Sequence, residues 1–291
     1  MKRLLVAALI LSASPALAHG GERHEIGWTT SPIVLVPLLI MALFYAIGFG
    51  RLWRRSDLGR PVLRGEAILF ALGWITLAGA LVSPLHEAGE LSFTMHMIEH
   101  EIIMLVSALL IVLSRPGAAL MWAFPVRLRR PLGAVSRWKP WRILADPFVA
   151  TAIQAVVIIV WHVPWLFELT LRSEAWHIAQ HLSFIGSALL FWWAMANTRS
   201  GRAGALIAAL CLFVTSMIGG GLGALMAFSA SPWYQGYAEL GLTPFGLTPE
   251  EDQQLAGLIM WVPGGLYHLV AALWFLLRGL GDEESDHAVA R

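Results

Sequence analysis

The sequence predicts an all-α, polytopic membrane protein, with seven transmembrane helices after a cleaved signal peptide. Three observations carry that expectation. The 291 residues are 57% hydrophobic and only 13% charged, too apolar for an ordinary soluble domain. Several uninterrupted apolar runs reach the ~20 residues that a helix needs to cross a bilayer. The basic residues fall in alternate connections only, which gives the helices a direction.

The first eighteen residues, "MKRLLVAALILSASPALA", combine Lys2 and Arg3, a short apolar core and the small-residue pattern Ala16-Leu17-Ala18. That is the pattern of a secretory signal peptide cut after Ala18. A short arm, 19–30, follows it; a seven-span domain covers 31–278 and a tail 279–291. Apolar runs place the spans near 31–50, 66–83, 93–113, 146–164, 176–197, 203–228 and 255–277.

The connections then sort by charge. Segment 51–65 holds five arginines, 114–145 holds seven basic residues including Arg127, Arg129, Arg130 and Lys139, 198–202 holds Arg199 and Arg202, and the end of the chain holds Arg278 and Arg291. The alternate segments 19–30, 84–92, 165–175 and 229–254 hold only Arg23 and Arg172. Sixteen basic residues against two puts the N-terminus outside and the C-terminus in the cytoplasm. With a bacterial-style signal this is a multi-pass protein of the bacterial plasma membrane, its outer side facing the periplasm.

That direction gives meaning to "FTMHMIEHEIIMLVSALLIVLS", Phe93 to Ser114, an apolar span whose first turns carry two histidines and two glutamates. Ionisable groups inside a membrane are costly and mark function by default. His96 and His100 fall in the outer turns of span three, His162 ends span four in "WHVP", and His177 and His181 open span five in "WHIAQH". His268 lies midway along span seven, with Met260 two turns nearer the outside, and His86 lies in an outer loop. Residues four apart share a helix face, so His96, His100 and Met104 form one expected stripe, His177 and His181 another, and Met260, Gly264 and His268 a third with room beside Gly264. Such His-x-x-x-His pairs can hold one metal ion, and added methionine favours a soft ion such as Cu(I). Glu99 and Glu101 are placed to accept the second ring N–H of a ligand.

Blander readings stand beside these. A single His-x-x-x-His pair is explained by packing or a hydrogen bond to a neighbouring helix, and single methionines are common core fillers. It is the gathering of two pairs with His162 and His268 on one side that favours ligation. Trp161, Trp165 and Trp176 read as interfacial anchors, "GGGLGA" at Gly219 to Ala224 as close helix packing, and "TPEEDQQ" from Thr248 as a capped helix start. "HEIIM" has Met104 where a zinc peptidase has its second histidine. There is no Gly-rich phosphate loop, and Cys211 is the single cysteine, so neither a disulfide framework nor a Cys-based zinc site is expected.

The motifs "MHMIEH", "WHVPWLFELTLRSEAWHIAQHLSFIGSALLFWW", "GALMAFSASPWYQGY" and "LTPEEDQQLAGLIMWVPGGLYHL" resemble the multispanning CtaG family. Its members are associated with assembly of caa(3)-type cytochrome c oxidase, and it shares its name with an unrelated single-span copper chaperone that this chain does not resemble. The match runs from about span two to the end of span seven. The resemblance implies cytochrome c oxidase subunits as partners and a role in making an active haem–copper oxidase, at a copper centre.

The expected function is therefore a periplasm-facing copper-binding protein that assists oxidase assembly. It is not an enzyme, because holding and transferring an ion requires no reaction, and no nucleic acid is expected as a partner. His96, His100, His177 and His181 are the expected ligands, with His268 and Met260 deeper and His162 at the rim. The alternatives are a haem-binding membrane protein with bis-His ligation and a copper importer. A further expectation concerns the arm: cleavage after Ala18 exposes His19, whose α-amino group and ring Nδ1 can chelate one copper ion, with His24 as a third ligand.

Overall fold

The computed structural model describes residues 26–56, 59–198 and 201–289. The signal peptide, the cleavage position, His19 and His24 lie outside the described residues. Within them the chain is helical, with no strand. In order the helices are α1 (Pro32–Trp53), α2 (Arg60–Val82), α3 (Pro84–Leu91), α4 (Phe93–Glu101), a π-helical segment over Ile102–Ser107, α5 (Ala108–Leu113), α6 (Gly117–Ala123), α7 (Val126–Ala134), α8 (Lys139–Leu144), α9 (Pro147–Trp161), α10 (Pro164–Arg172), α11 (Glu174–Ala196), α12 (Arg202–Ala227), α13 (Gln235–Leu240) and α14 (Pro249–Val289). This is a polytopic all-α membrane protein.

Among the described residues six helices are long and apolar enough to cross a bilayer, counting Phe93–Leu113 as one. The expected span at 146–164 differs. Its helix, α9, stops at Trp161 after 15 residues, about 22 Å at 1.5 Å per residue, against ~30 Å of hydrocarbon. The cause is Pro164, which disfavours helical backbone at the residue before it; Val163 is extended, with φ −66° and ψ 123°. The chain bends there by 73° into α10. Among the described residues a seventh span therefore exists only if the bent pair α9–α10 crosses as one. The last helix also departs from expectation. It begins at Pro249 and runs through residue 289, so residues 279–289 of the segment read as a tail continue the helix.

Two units repeat the same construction. A proline-initiated short helix (α3, α10) ends at a serine in extended conformation, Ser92 (φ −150°, ψ 124°) or Ser173 (φ −146°, ψ 118°). A span-length helix then starts, and its first histidine N–H donates to that serine's carbonyl: His96 to Ser92 at 3.1 Å and His177 to Ser173 at 3.0 Å. The local geometry thus places each His-x-x-x-His pair in the first two turns of its helix, beside the other. Asp252 of α14 fixes the first of these ends, accepting from the Ser92 hydroxyl at 2.7 Å and from the N–H groups of Phe93 and Thr94. The start of α14 is the expected capping box: Thr248 N–H donates to Glu251, and Glu251 N–H donates to the Thr248 hydroxyl at 3.3 Å.

The connections at the histidine end are tied to one another. Thr29 N–H donates to the Val82 carbonyl at 2.9 Å, Gly236 N–H to Glu168 at 3.0 Å and the Tyr237 hydroxyl to the Gly89 carbonyl at 2.6 Å. The arginine-rich connections lie at the opposite end, where Arg51 donates to the carbonyls of Trp122 and Ala123 and Arg129 lies over the Trp122 ring. The glycine-rich stretch of α12 packs as its sequence suggests. A Cβ on Gly223 would stand 2.6 Å from the Gly257 carbonyl oxygen, and one on Gly257 would stand 2.5 Å from that of Gly223, so α12 and α14 meet backbone to backbone. Trp165 and Trp176 are exposed, as anchors are, but Trp161 is buried and donates to the Ser183 hydroxyl; it is a packing residue.

Candidate metal centre

Glu99 stands at the centre of the histidine end. Its side chain is fully buried, and one oxygen, Oε1, lies 2.8 Å from His86 Nδ1 and 3.2 Å from His181 Nε2. A carboxylate only accepts, so both ring nitrogens donate. His86, Glu99 and His181 offer donor atoms within 4.8 Å of one another. Two nitrogens bound to one ion at ~2.0–2.1 Å stand roughly 3–4 Å apart, so small side-chain adjustments bring this set onto one ion.

Around this core the imidazoles pack on one another. Ring centroids are 4.2 Å apart for His96–His100, 4.5 Å for His177–His181, 5.0 Å for His100–His181 and 5.6 Å for His96–His177. The four histidines expected to act together are therefore one cluster drawn from α4 and α11. The structure adds His86 from α3, stacked on His177 at 5.4 Å. His96, His100 and His181 are buried and form the floor, while His86 and His177 are half-buried and form the rim. His86 was legible only as a loop residue, since nothing in the spacing connects it to Glu99 thirteen positions on. The repeated proline–short helix–serine pattern is the signal that finds it.

His86 lies outside the spans. Burial pushes its imidazolium down, but the hydrogen bond and charge of Glu99, with the Glu90 and Glu87 carboxylates behind, outweigh this and raise it above the ordinary histidine value. Above the cluster, burial and the carboxylates of Asp252 and Glu99 hold the Tyr237 phenol well above its usual value. It stays a donor and clamps Gly89, on the helix that carries His86.

Four expectations are corrected. His162 is buried rather than at a rim: it lies at the α9–α10 break, its Nδ1 on the Ile158 carbonyl at 2.7 Å and its Nε2 without a partner among the described residues, and its ring joins none of the ring contacts of the cluster. His268 and Met260 do not extend the cluster inward; they line a separate cavity with Glu101. Among the described residues Glu101 bonds to no histidine, because helical residues two apart point about 200° apart and Glu101 turns toward α14 while Glu99 enters the cluster. Met104 leaves the expected His96–His100 stripe. The π segment, in which Ala108 N–H reaches the Ile103 carbonyl five residues back, changes the helical register there; Trp192 Nε1–H donates to the Met104 carbonyl at 2.8 Å.

The donor set fits a metal ion. His96 Nε2, both ring nitrogens of His100, His177 Nε2 and Glu99 Oε2 are buried without a hydrogen-bond partner among the described residues. Leaving one such group unsatisfied costs about 1–3 kcal/mol, so burying several of them in one cluster of rings is unfavourable unless a ligand uses them. His181 is the exception. Its Nδ1 faces the His177 carbonyl at 3.1 Å while its Nε2 faces Glu99, so it joins an ion only by giving up one of these bonds.

The sequence profile of the family described as cytochrome c oxidase caa3 assembly factor matches residues 43–280. Uncharacterized proteins of Mycobacterium bovis and of Mycobacterium tuberculosis are each 28% identical over 255 residues, which is 80% of this chain and 36% of theirs. The chain thus spans about a third of the length of these curated relatives. No solved structure matches. The chain belongs to the cytochrome c oxidase caa3 assembly factor family.

Proposed function

We propose that this assembly-factor family member binds copper in the histidine cluster, on the periplasmic side of a bacterial plasma membrane, and hands it on during maturation of the oxidase. The observation that carries the reading is a cluster of five imidazoles, two of them bonded to one buried carboxylate, with several of its ring nitrogens buried and unpartnered among the described residues. The orientation rests on the charge bias of the connections, whose arginine-rich set lies at the end opposite the cluster. A crossing of α9–α10 as one bent span makes the count seven and leaves the C-terminus in the cytoplasm.

The carboxylate suits the task. The cluster lies along the first two turns of α4 and α11, near their positive ends, which disfavour a cation by roughly 0.3–1 kcal/mol each. Glu99 offsets that field and orients His86 and His181. The half-buried rim gives a path by which ligands exchange, so an ion is received and passed on at one face without bonds being made or broken in a substrate. The oxidase subunit that receives it would dock over His86 and His177.

Haem is the less favoured occupant. A porphyrin between two axial imidazoles needs a flat slot, whereas each of these rings has another ring within 4.2–5.6 Å. An importer would be supported by ligands at the arginine-rich end, and the histidines of the described spans lie at the opposite end or at mid-depth. The test is metal analysis of protein purified in mild detergent from copper-supplemented cells. Stoichiometric copper in colourless protein, lost on His96→Ala, is the expected result. A Soret band would redirect the reading to haem, and metal-free protein that takes up no added copper would end it.

A further inference from the structure

Beyond the cluster, a second group of buried polar atoms surrounds the cavity between α4, α9, α12 and α14. Glu101 faces it, and its carboxyl occupies the space that Gly264 leaves open: a Cβ at that position would stand 2.9 Å from Glu101 Oε2. That oxygen is buried and unpartnered. Gln154 of α9 lines the same cavity, is 3% exposed, and has its Oε1 unpartnered as well. His268 is fixed by Nδ1, which donates to the Gly264 carbonyl at 2.8 Å, and by stacking on Trp192. Its proton is therefore on Nδ1, and Nε2 keeps a free lone pair. Met104 and Met260, both buried, also line the cavity, beside Thr215 and Ser216 of α12. The cavity measures about 30 Å³, enough for one or two waters or a single ion.

We propose that this cavity is a second metal site, holding one Cu(I) ion through the thioethers of Met104 and Met260 and His268 Nε2. Glu101 supplies the countercharge and Gln154 a neutral oxygen. The inference rests on the reading of the chain as a copper-binding protein, and adds a site distinct in donors and in depth. Thioethers are soft, neutral ligands that select Cu(I) over Cu(II) and over hard ions. One carboxylate against one monovalent ion leaves the pair neutral, which suits the middle of a span where net charge is costly. Glu99, His100 and Glu101 are consecutive, so one turn of one helix serves both sites, and the π segment that follows turns Met104 into the inner one.

The test loads full-length protein in mild detergent with Cu(I) under anaerobic, reducing conditions and reads copper X-ray absorption and bound equivalents. The wild type is expected to show both nitrogen/oxygen and sulfur neighbours. The volume-conserving variant Met104→Leu/Met260→Leu should lose the sulfur shell and about one equivalent, keeping imidazole-bound copper. The variant His177→Ala/His181→Ala should keep the sulfur-bound ion. His268→Gln should weaken Cu(I) binding at that site at least tenfold in chelator competition. A wild type that binds copper without sulfur neighbours, or unchanged equivalents in the leucine variant, would overturn the inner site and leave the histidine cluster standing. A wild type that binds no copper overturns both.

Discussion

His181 Nε2 lies 3.2 Å from Glu99 Oε1, joining helices α4 and α11 across 82 positions of sequence. Because the same oxygen also accepts from His86, one carboxylate orients histidines from two further helices. Glu99→Gln keeps the size of the side chain but replaces one acceptor oxygen with a donor and removes the charge. Copper affinity should fall about 10–100-fold, as it does when groups that orient ligands are changed. Competition with a chelator measures this. Unchanged affinity would reduce Glu99 to a packing residue.

Ligands of one ion act as a unit, so their removal is not additive. His96→Ala and His181→Ala should each lower copper affinity strongly, and the double variant should cost clearly less than the two single effects together. Strict additivity would mean that the two histidine pairs serve separate purposes.

The glycine contact between α12 and α14 sets a stability prediction. Gly223→Ala drives a Cβ to 2.6 Å from a backbone oxygen that cannot retreat, and overpacking of this kind costs about 1–3 kcal/mol. Gly221, where a Cβ meets nothing within 4 Å, is the control. Thermal unfolding in detergent should show a lower midpoint for Gly223→Ala and little change for Gly221→Ala.

Reporter fusions check the direction. Reporters placed after segment 51–65 and after segment 229–254 should report opposite compartments, the first cytoplasmic and the second periplasmic. The same compartment for both would remove the basis for a periplasmic cluster.

Mass spectrometry of the mature protein should find His19 as its first residue. In that form, inserting one alanine before His19 should weaken Cu(II) binding while leaving the histidine cluster intact. A chain that retains Met1 removes the chelate.

Much of the architecture was legible without coordinates because membrane burial is a one-dimensional constraint. A run of about twenty apolar residues has few alternatives to a crossing helix, and charge in the connections orders the helices by side. The two His-x-x-x-His pairs were legible for the same reason: helical spacing fixes which residues share a face. The capping box at Thr248 and the glycine contact at Gly223 were readable because caps and close approach depend on local chemistry.

What the sequence by itself determined, then, was the helical membrane class and the pairing of the histidines that share one helix. The tertiary structure decided which residues meet. It brought His86 to Glu99, sent Glu101 to Gly264 on α14, ended α9 at Pro164 and used a π segment to move Met104 off the histidine stripe. Periodicity along a chain gives a residue its height and its face on a single helix. The rotation of each helix against its neighbours is set by side-chain packing between segments far apart in sequence, and no local pattern encodes it.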